Sequence, residues 1–165
     1  MWYRIAKKSP KLLLFLDIDG VLNKYPDYDK SEIHEDIKKL ANYIEPKCIS
    51  RLNEIVDLLD PTIILSSYWR RVGSIKEIED ILKSKGFKGE IFDKTPESGK
   101  EHKERFEQIE KVINKYKPEK YIILDDSVLD EDPEFVNPYW IKTNRETGLS
   151  HNDIDKILKL VKGEH

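Results

Sequence analysis

Short apolar runs recur along this chain, and each stops abruptly at polar residues. Leu12 to Leu16, bounded by Lys11 and Asp17, is too short for a helix core and suits a strand buried on both faces. Thr62 to Leu65 and Tyr121 to Leu124 repeat that pattern, Glu90 to Phe92 reads as a weaker edge strand, and Tyr139 to Lys142 as a final one. Between these runs the apolar spacing becomes helical. Cys48, Ile49, Leu52, Ile55, Val56 and Leu59 predict a helix from Pro46 to Leu59. Proline is tolerated at its first position, and the helix stops before Asp60-Pro61 because the residue preceding proline avoids helical backbone. Ser74 and Glu77 form a capping box ahead of Ile75, Ile78, Ile81 and Leu82, with Gly86 as the stop. Phe106, Ile109, Val112, Ile113 and Tyr116 mark a further helix, closed by Pro118. Ser150 and Asp153 cap a last one, running to Lys162, that turns Ile154, Ile157, Leu158 and Val161 inward. Residues Lys24 to Lys30 read as a loop, followed by a short amphipathic helix over Ser31 to Tyr43 on Ile33, Ile37, Leu40 and Ile44. Strands alternating with helices predict an α/β, Rossmann-like three-layer sandwich around a parallel sheet of about five strands.

A chain of 165 residues suits one domain with a sizeable core. Hydrophobic and charged residues, at 38% and 37%, describe a soluble protein with a heavily solvated surface. The net charge of −3 argues against a broad electrostatic footprint for nucleic acid, although Arg70-Arg71 and the stretch from Lys100 to Arg105 are locally basic. A lone cysteine, Cys48, excludes a disulfide framework and a thiolate metal cluster; it falls on an apolar helix face as a small buried hydrophobe. No apolar run approaches the ~20 residues a membrane span needs, and the first residues lack a secretory pattern. Cytoplasmic residence, no membrane partner and a monomer are the expectations.

Chemistry enters where the strands stop. Asp17 and Asp19 follow the first strand, and in an open parallel sheet the ligand crevice lies at the carboxyl ends of the strands. Their one-residue gap predicts side chains on the same side, and Gly20 lets the chain leave sharply. Asp-x-Asp-Gly also opens a calcium loop, but Val21 and Tyr28 stand where that loop needs oxygen ligands. A turn rich in aspartate is the plain alternative. The other strands weigh against it, because Leu65 runs into Ser66-Ser67 and Leu124 into Asp125-Asp126. Four carboxylates at one sheet edge repel one another and persist when a cation neutralises them. Oxygen-only ligands suit Mg²⁺ better than zinc. A carboxylate beyond those needed as ligands can attack phosphorus, while the Ser66 hydroxyl and backbone N–H groups hold phosphoryl oxygens and a helix-borne cation balances the charge.

In these motifs the chain resembles the haloacid dehalogenase (HAD) superfamily, and within it the small capless phosphatase-like members related to the HAD domains of RNA-repair proteins. Leu16 to Leu22 matches motif I, Ile64 to Arg70 motif II, Arg105 to Ile109 motif III and Ile123 to Asp126 motif IV, in the family's order. The resemblance implies a sheet order of 5-4-1-2-3 and an Mg²⁺ cofactor. It implies Asp17 as a nucleophile that forms an aspartyl-phosphate, and Asp19 as the acid that protonates the leaving oxygen and then deprotonates water. Ser66, with Ser67 beside it, would bind the phosphoryl group, and Arg105 would pair with Asp17 and the phosphate, with Lys103 competing for that role. Asp126 would ligate Mg²⁺ with Asp17 and the backbone carbonyl of Asp19, with Asp125 acting directly or through water. Asp130 is either an outer ligand or a loop acid. Arg70 is a candidate grip for a second phosphate, and Trp69 either stacks on a base or packs in the core beside the site. The four histidines form no spaced metal set.

Beyond the helix from Pro46 to Leu59, the segment between motifs I and II leaves only residues 24–43 as a small flap within a single domain of residues 1–165. An open site of that kind suits a phosphorylated nucleic-acid end, a nucleotide or a small phosphometabolite. The reading is therefore an Mg²⁺-dependent phosphomonoesterase. The alternative is a catalytically weak module that uses the same fold to bind phosphate or nucleic acid.

Overall fold

Every residue of β1 (Leu12–Leu16) is buried, which requires sheet neighbours on both sides and helices on both faces. A computed structural model, describing residues 9–25, 36–97, 103–127 and 137–163, supplies both. β2 (Thr62–Leu65), β3 (Ile91–Lys94), β4 (Lys120–Asp125) and β5 (Trp140–Lys142) join β1 in one parallel sheet of order β3-β2-β1-β4-β5. This is the expected order read from the opposite edge.

The alternation of strand side chains divides the core in two. Leu12, Leu14 and Leu16 face α1 (Pro46–Leu59), α2 (Ile75–Ser84) and α4 (His151–Lys162), meeting Leu52, Ile55, Ile78, Leu82, Ile154 and Ile157. Leu13 and Phe15 face α3 (Lys103–Tyr116), where Ile109 and Val112 are buried. Cys48 lies inside the first of these clusters, as its helix face predicts. The helix ends follow local chemistry. Both predicted capping boxes form, Ser74 with Glu77 and Ser150 with Asp153, and Asp60 ends α1 in the left-handed region at φ 45°.

Two elements depart from expectation. Where an amphipathic helix over Ser31 to Tyr43 is predicted, the described part is a 3₁₀ helix, Ile37–Tyr43, capped by the Asp36 side chain. Ile37 and Leu40 are three apart, a spacing that a three-residue turn stacks on one side, and Leu40 is fully buried. The third strand begins at Ile91 and reaches Lys94, because a register irregularity lets Phe92 bulge out of the pairing between Ile63–Ile91 and Ile64–Asp93. The described residues contain no helix long and apolar enough to cross a membrane.

Candidate active site

Register builds the site. Leu16 pairs with Leu65 on one side and Leu124 on the other. The next residues of the three strands, Asp17, Ser66 and Asp125, therefore stand side by side. Two backbone bonds extend the ladder to this level: Asp17 N–H donates to Leu124 O at 3.0 Å, and Ser66 N–H to Leu16 O at 2.8 Å. One carboxylate oxygen from each of Asp17, Asp125 and Asp126 lies within 4.8 Å of the others, and all three residues are buried.

Two arginines answer this charge. Arg105, near the start of α3, bridges Asp17 Oδ1 at 3.1 Å and Asp125 Oδ2 at 3.2 Å, and its Nη2 donates to the Ser66 carbonyl at 2.6 Å. Arg145, in the loop after β5, donates from Nε and Nη2 to Asp126 Oδ2 at 3.1 and 3.0 Å. Burial pushes the Asp17 carboxyl well above the usual range; Arg105 opposes the shift, while Asp125, Asp19 and Asp126 add to it. Burial likewise raises Asp125, against Arg105 and the hydrogen bonds from Ser127. Burial disfavours the charge on Arg105, but Asp17, Asp125 and Asp126 outweigh it and hold the guanidinium above its ordinary value. The pocket is thus short of positive charge.

Among the described residues, two buried side-chain oxygens remain without hydrogen bonds: Ser66 Oγ and Asp125 Oδ2, the latter only ion-paired to Arg105. An oxygen-only donor set with an excess of carboxylates and an unsatisfied carboxylate oxygen fits a hard divalent cation such as Mg²⁺.

Asp19 departs from the simple alternation. The chain leaves the strand after Leu16 and turns, with Val21 and Leu22 N–H bonding back to Ile18 O, so a strand's two-residue period no longer applies. The Asp19 carboxylate is absent from the cluster of three and instead accepts hydrogen bonds from Asn23 and Trp69. Trp69 is fully buried, which agrees with core packing and leaves no ring face for a base. Ser67 is also buried; its Oγ accepts the Trp69 N–H at 3.3 Å and caps the 3₁₀ turn Tyr68–Arg71. Arg70 is buried too, donating to Ser67 O at 2.6 Å and Gln108 Oε1 at 2.8 Å, with Nε lacking a partner. Burial pushes its pKa down to about 10, helped by Arg105 and Arg71. As folded, it does not offer an open grip for a second phosphate. The Lys103 side chain and Asp130 lie outside the described residues, so of the two motif III candidates Arg105 is the one described at the cluster.

Asn23, Gln108, Ser127, Thr143 and Arg145 also serve this region and carry no advance signal. They are single polar residues in loops or on a mostly apolar helix face; Asn23 and Ser127 bond neighbours within their own turns, while the others reach distant segments: Thr143 Oγ1, for example, donates to Gly20 O at 2.7 Å. The run Asn23-Lys24 after motif I and the Arg145-Glu146 pair before Gly148 are too common as loop sequences to be singled out.

The sequence model of one protein family, described as the HAD domain in Swiss Army Knife RNA repair proteins, matches residues 13–154. No curated protein and no solved structure matches the chain.

Proposed function

We propose that this chain, which belongs to the family of HAD domains in Swiss Army Knife RNA repair proteins, is an Mg²⁺-dependent phosphatase that hydrolyses a phosphomonoester through an aspartyl-phosphate. The observation that carries the reading is the meeting of the β1 and β4 ends, which puts Asp17, Asp125 and Asp126 around one small volume with Arg105 across Asp17 and Asp125.

In the proposed reaction an Asp17 carboxylate oxygen attacks phosphorus, the bond to the leaving oxygen breaks, and Asp19 gives that oxygen its proton. Water then attacks the phosphorus of the aspartyl-phosphate, Asp19 takes the proton back, and inorganic phosphate leaves as Asp17 regains its carboxylate. Arg105 opposes the burial that favours the neutral Asp17 carboxyl and offers N–H groups to phosphoryl oxygens. Ser66 Oγ, unpartnered at the same level of the sheet, is a donor for another of them. Asp17, Asp125, Asp126 and the Asp19 carbonyl would hold Mg²⁺, which supplies charge neutralisation for the phosphoryl group when bound. Residues 24–43, of which 26–35 lie outside the described residues, are read as a small flap in a single domain.

Membership in a family found in RNA repair proteins favours a phosphorylated nucleic-acid end over a free nucleotide or small phosphometabolite. The test is phosphate release from 3′- and 5′-phosphorylated RNA and DNA, nucleoside monophosphates and an aryl phosphate, each with Mg²⁺ or EDTA. Metal-dependent release, fastest from an oligonucleotide end, is expected. A folded protein that releases phosphate from none of them favours the binding-module alternative.

A further inference from the structure

Asp19 is held at both carboxylate oxygens. Trp69 Nε1 donates to Oδ2 at 3.2 Å, and Asn23 Nδ2 donates to Oδ1 at 3.1 Å. Both donors are themselves fixed. Asn23 Oδ1 accepts the Gly20 N–H at 2.8 Å, which locks its amide inside the motif I turn. Trp69 is 0% exposed, its ring is part of the core on the α1 side of the sheet, and its backbone N–H is bound by Ser67. An indole offers one hydrogen in one direction, and a buried N–H left unpaired costs about 1–3 kcal/mol, so the ring keeps this bond.

The clamp answers a specific difficulty. Asp19 stands two residues from Asp17, beside a cluster whose charge invites a cation. An unrestrained carboxylate there would turn to the cation as a further ligand and be lost for proton transfer. We propose that Trp69 and Asn23 are positioning residues that keep the Asp19 carboxyl group out of the metal cluster and aimed for proton exchange with the leaving oxygen. The 3₁₀ turn after β2 thereby sets the direction of the acid that follows β1. This role rests on the phosphatase reading above.

Trp69→Phe keeps the ring in the core and removes only the donor. A proton from Asp19 matters when the leaving oxygen is an alkoxide and little when it is p-nitrophenolate, and kcat/KM covers the steps through departure of that group. In Mg²⁺, W69F is expected to lower kcat/KM for an alkyl phosphate by about 10–100-fold while changing that for p-nitrophenyl phosphate by less than about threefold. Asp19→Asn should give the same pattern with a larger loss. Equal losses on both substrates, or no loss on either, overturn the positioning role while leaving the phosphatase standing. A wild-type protein that hydrolyses neither substrate overturns the phosphatase reading and this role with it.

A second readout needs neither metal nor turnover. The chain has three tryptophans, so its indole N–H resonances are few, and the one lost in W69F belongs to Trp69. Asp19→Asn should move that resonance, because the strong carboxylate acceptor is gone. A Trp69 resonance unmoved in the otherwise native variant overturns the clamp.

Discussion

Gly20 turns its Cα directly onto Asp126: a Cβ built at Gly20 would lie 2.6 Å from Asp126 Cγ and 2.7 Å from its Cβ, and Gly20 has φ +77°. The loop after β1 and the end of β4 are therefore pressed together at the level where the carboxylates gather. Neither side can give way easily, since Asp126 is bound by Arg145 and the Gly20 carbonyl by Thr143.

Gly20→Ala is accordingly predicted to destabilise the protein by about 1–3 kcal/mol, from the left-handed backbone and the forced shift of Asp126. Urea unfolding reads the stability loss. The rise in Tm expected on adding Mg²⁺ to the wild type should shrink in the same variant as Asp126 is pushed from its position.

Arg105→Ala leaves Asp17 and Asp125 buried without the cation that bridges them. Breaking a buried pair by removing one partner costs about 3–5 kcal/mol. That loss is expected in EDTA and should be smaller in saturating Mg²⁺, which replaces the missing charge. Parallel denaturation curves measure it, and equal losses in both conditions would separate Arg105 from the proposed metal site.

Ser66→Ala should behave in the opposite way. The Ser66 hydroxyl is buried without a partner, so removing it deletes an unsatisfied group, and stability should change by less than about 1 kcal/mol. Phosphatase kcat/KM should nevertheless fall on the order of 10²-fold, the usual cost of one donor to a developing oxyanion. A large loss of stability with intact turnover would mean that the hydroxyl serves the fold.

The raised carboxyls predict a pH effect in the metal-free protein. Asp17 and Asp125 hold protons more tightly folded than unfolded. Their contribution is therefore fully present below the ordinary carboxylate value of about 4 and is lost as pH rises through their higher folded values. Mg²⁺ competes with those protons. The gap in Tm between Mg²⁺ and EDTA should widen as pH rises above about 4, and a gap that stays constant would contradict the assignment.

How much of this was legible in advance depended on whether a residue's partners are set by its own segment. β1 and β2 begin and end where the apolar runs meet polar residues, and α1 runs from Pro46 to Leu59 because proline chemistry acts within one or two residues. Once those strands pair in register, Asp17, Ser66 and Asp125 must share a level, so the motifs pointed at one place. Trp69 was ambiguous because an aromatic residue after a buried strand serves a core or a surface equally well; only the folded turn decides that its N–H meets Asp19, fifty positions away in sequence. Arg145 is the same kind of case, a loop arginine whose carboxylate partner comes from another strand. The 3₁₀ form of Ile37–Tyr43 escaped because three- and four-residue spacings look alike over so short a segment.

The most direct test of the central claim is to turn over a ³²P-labelled substrate in Mg²⁺, quench in acid, and locate the label. The account predicts an acid-stable, hydroxylamine-sensitive label on the peptide holding Asp17, absent in EDTA and absent, with turnover, in Asp17→Asn. Sustained Mg²⁺-dependent hydrolysis by Asp17→Asn, or a label on any other residue, would contradict it.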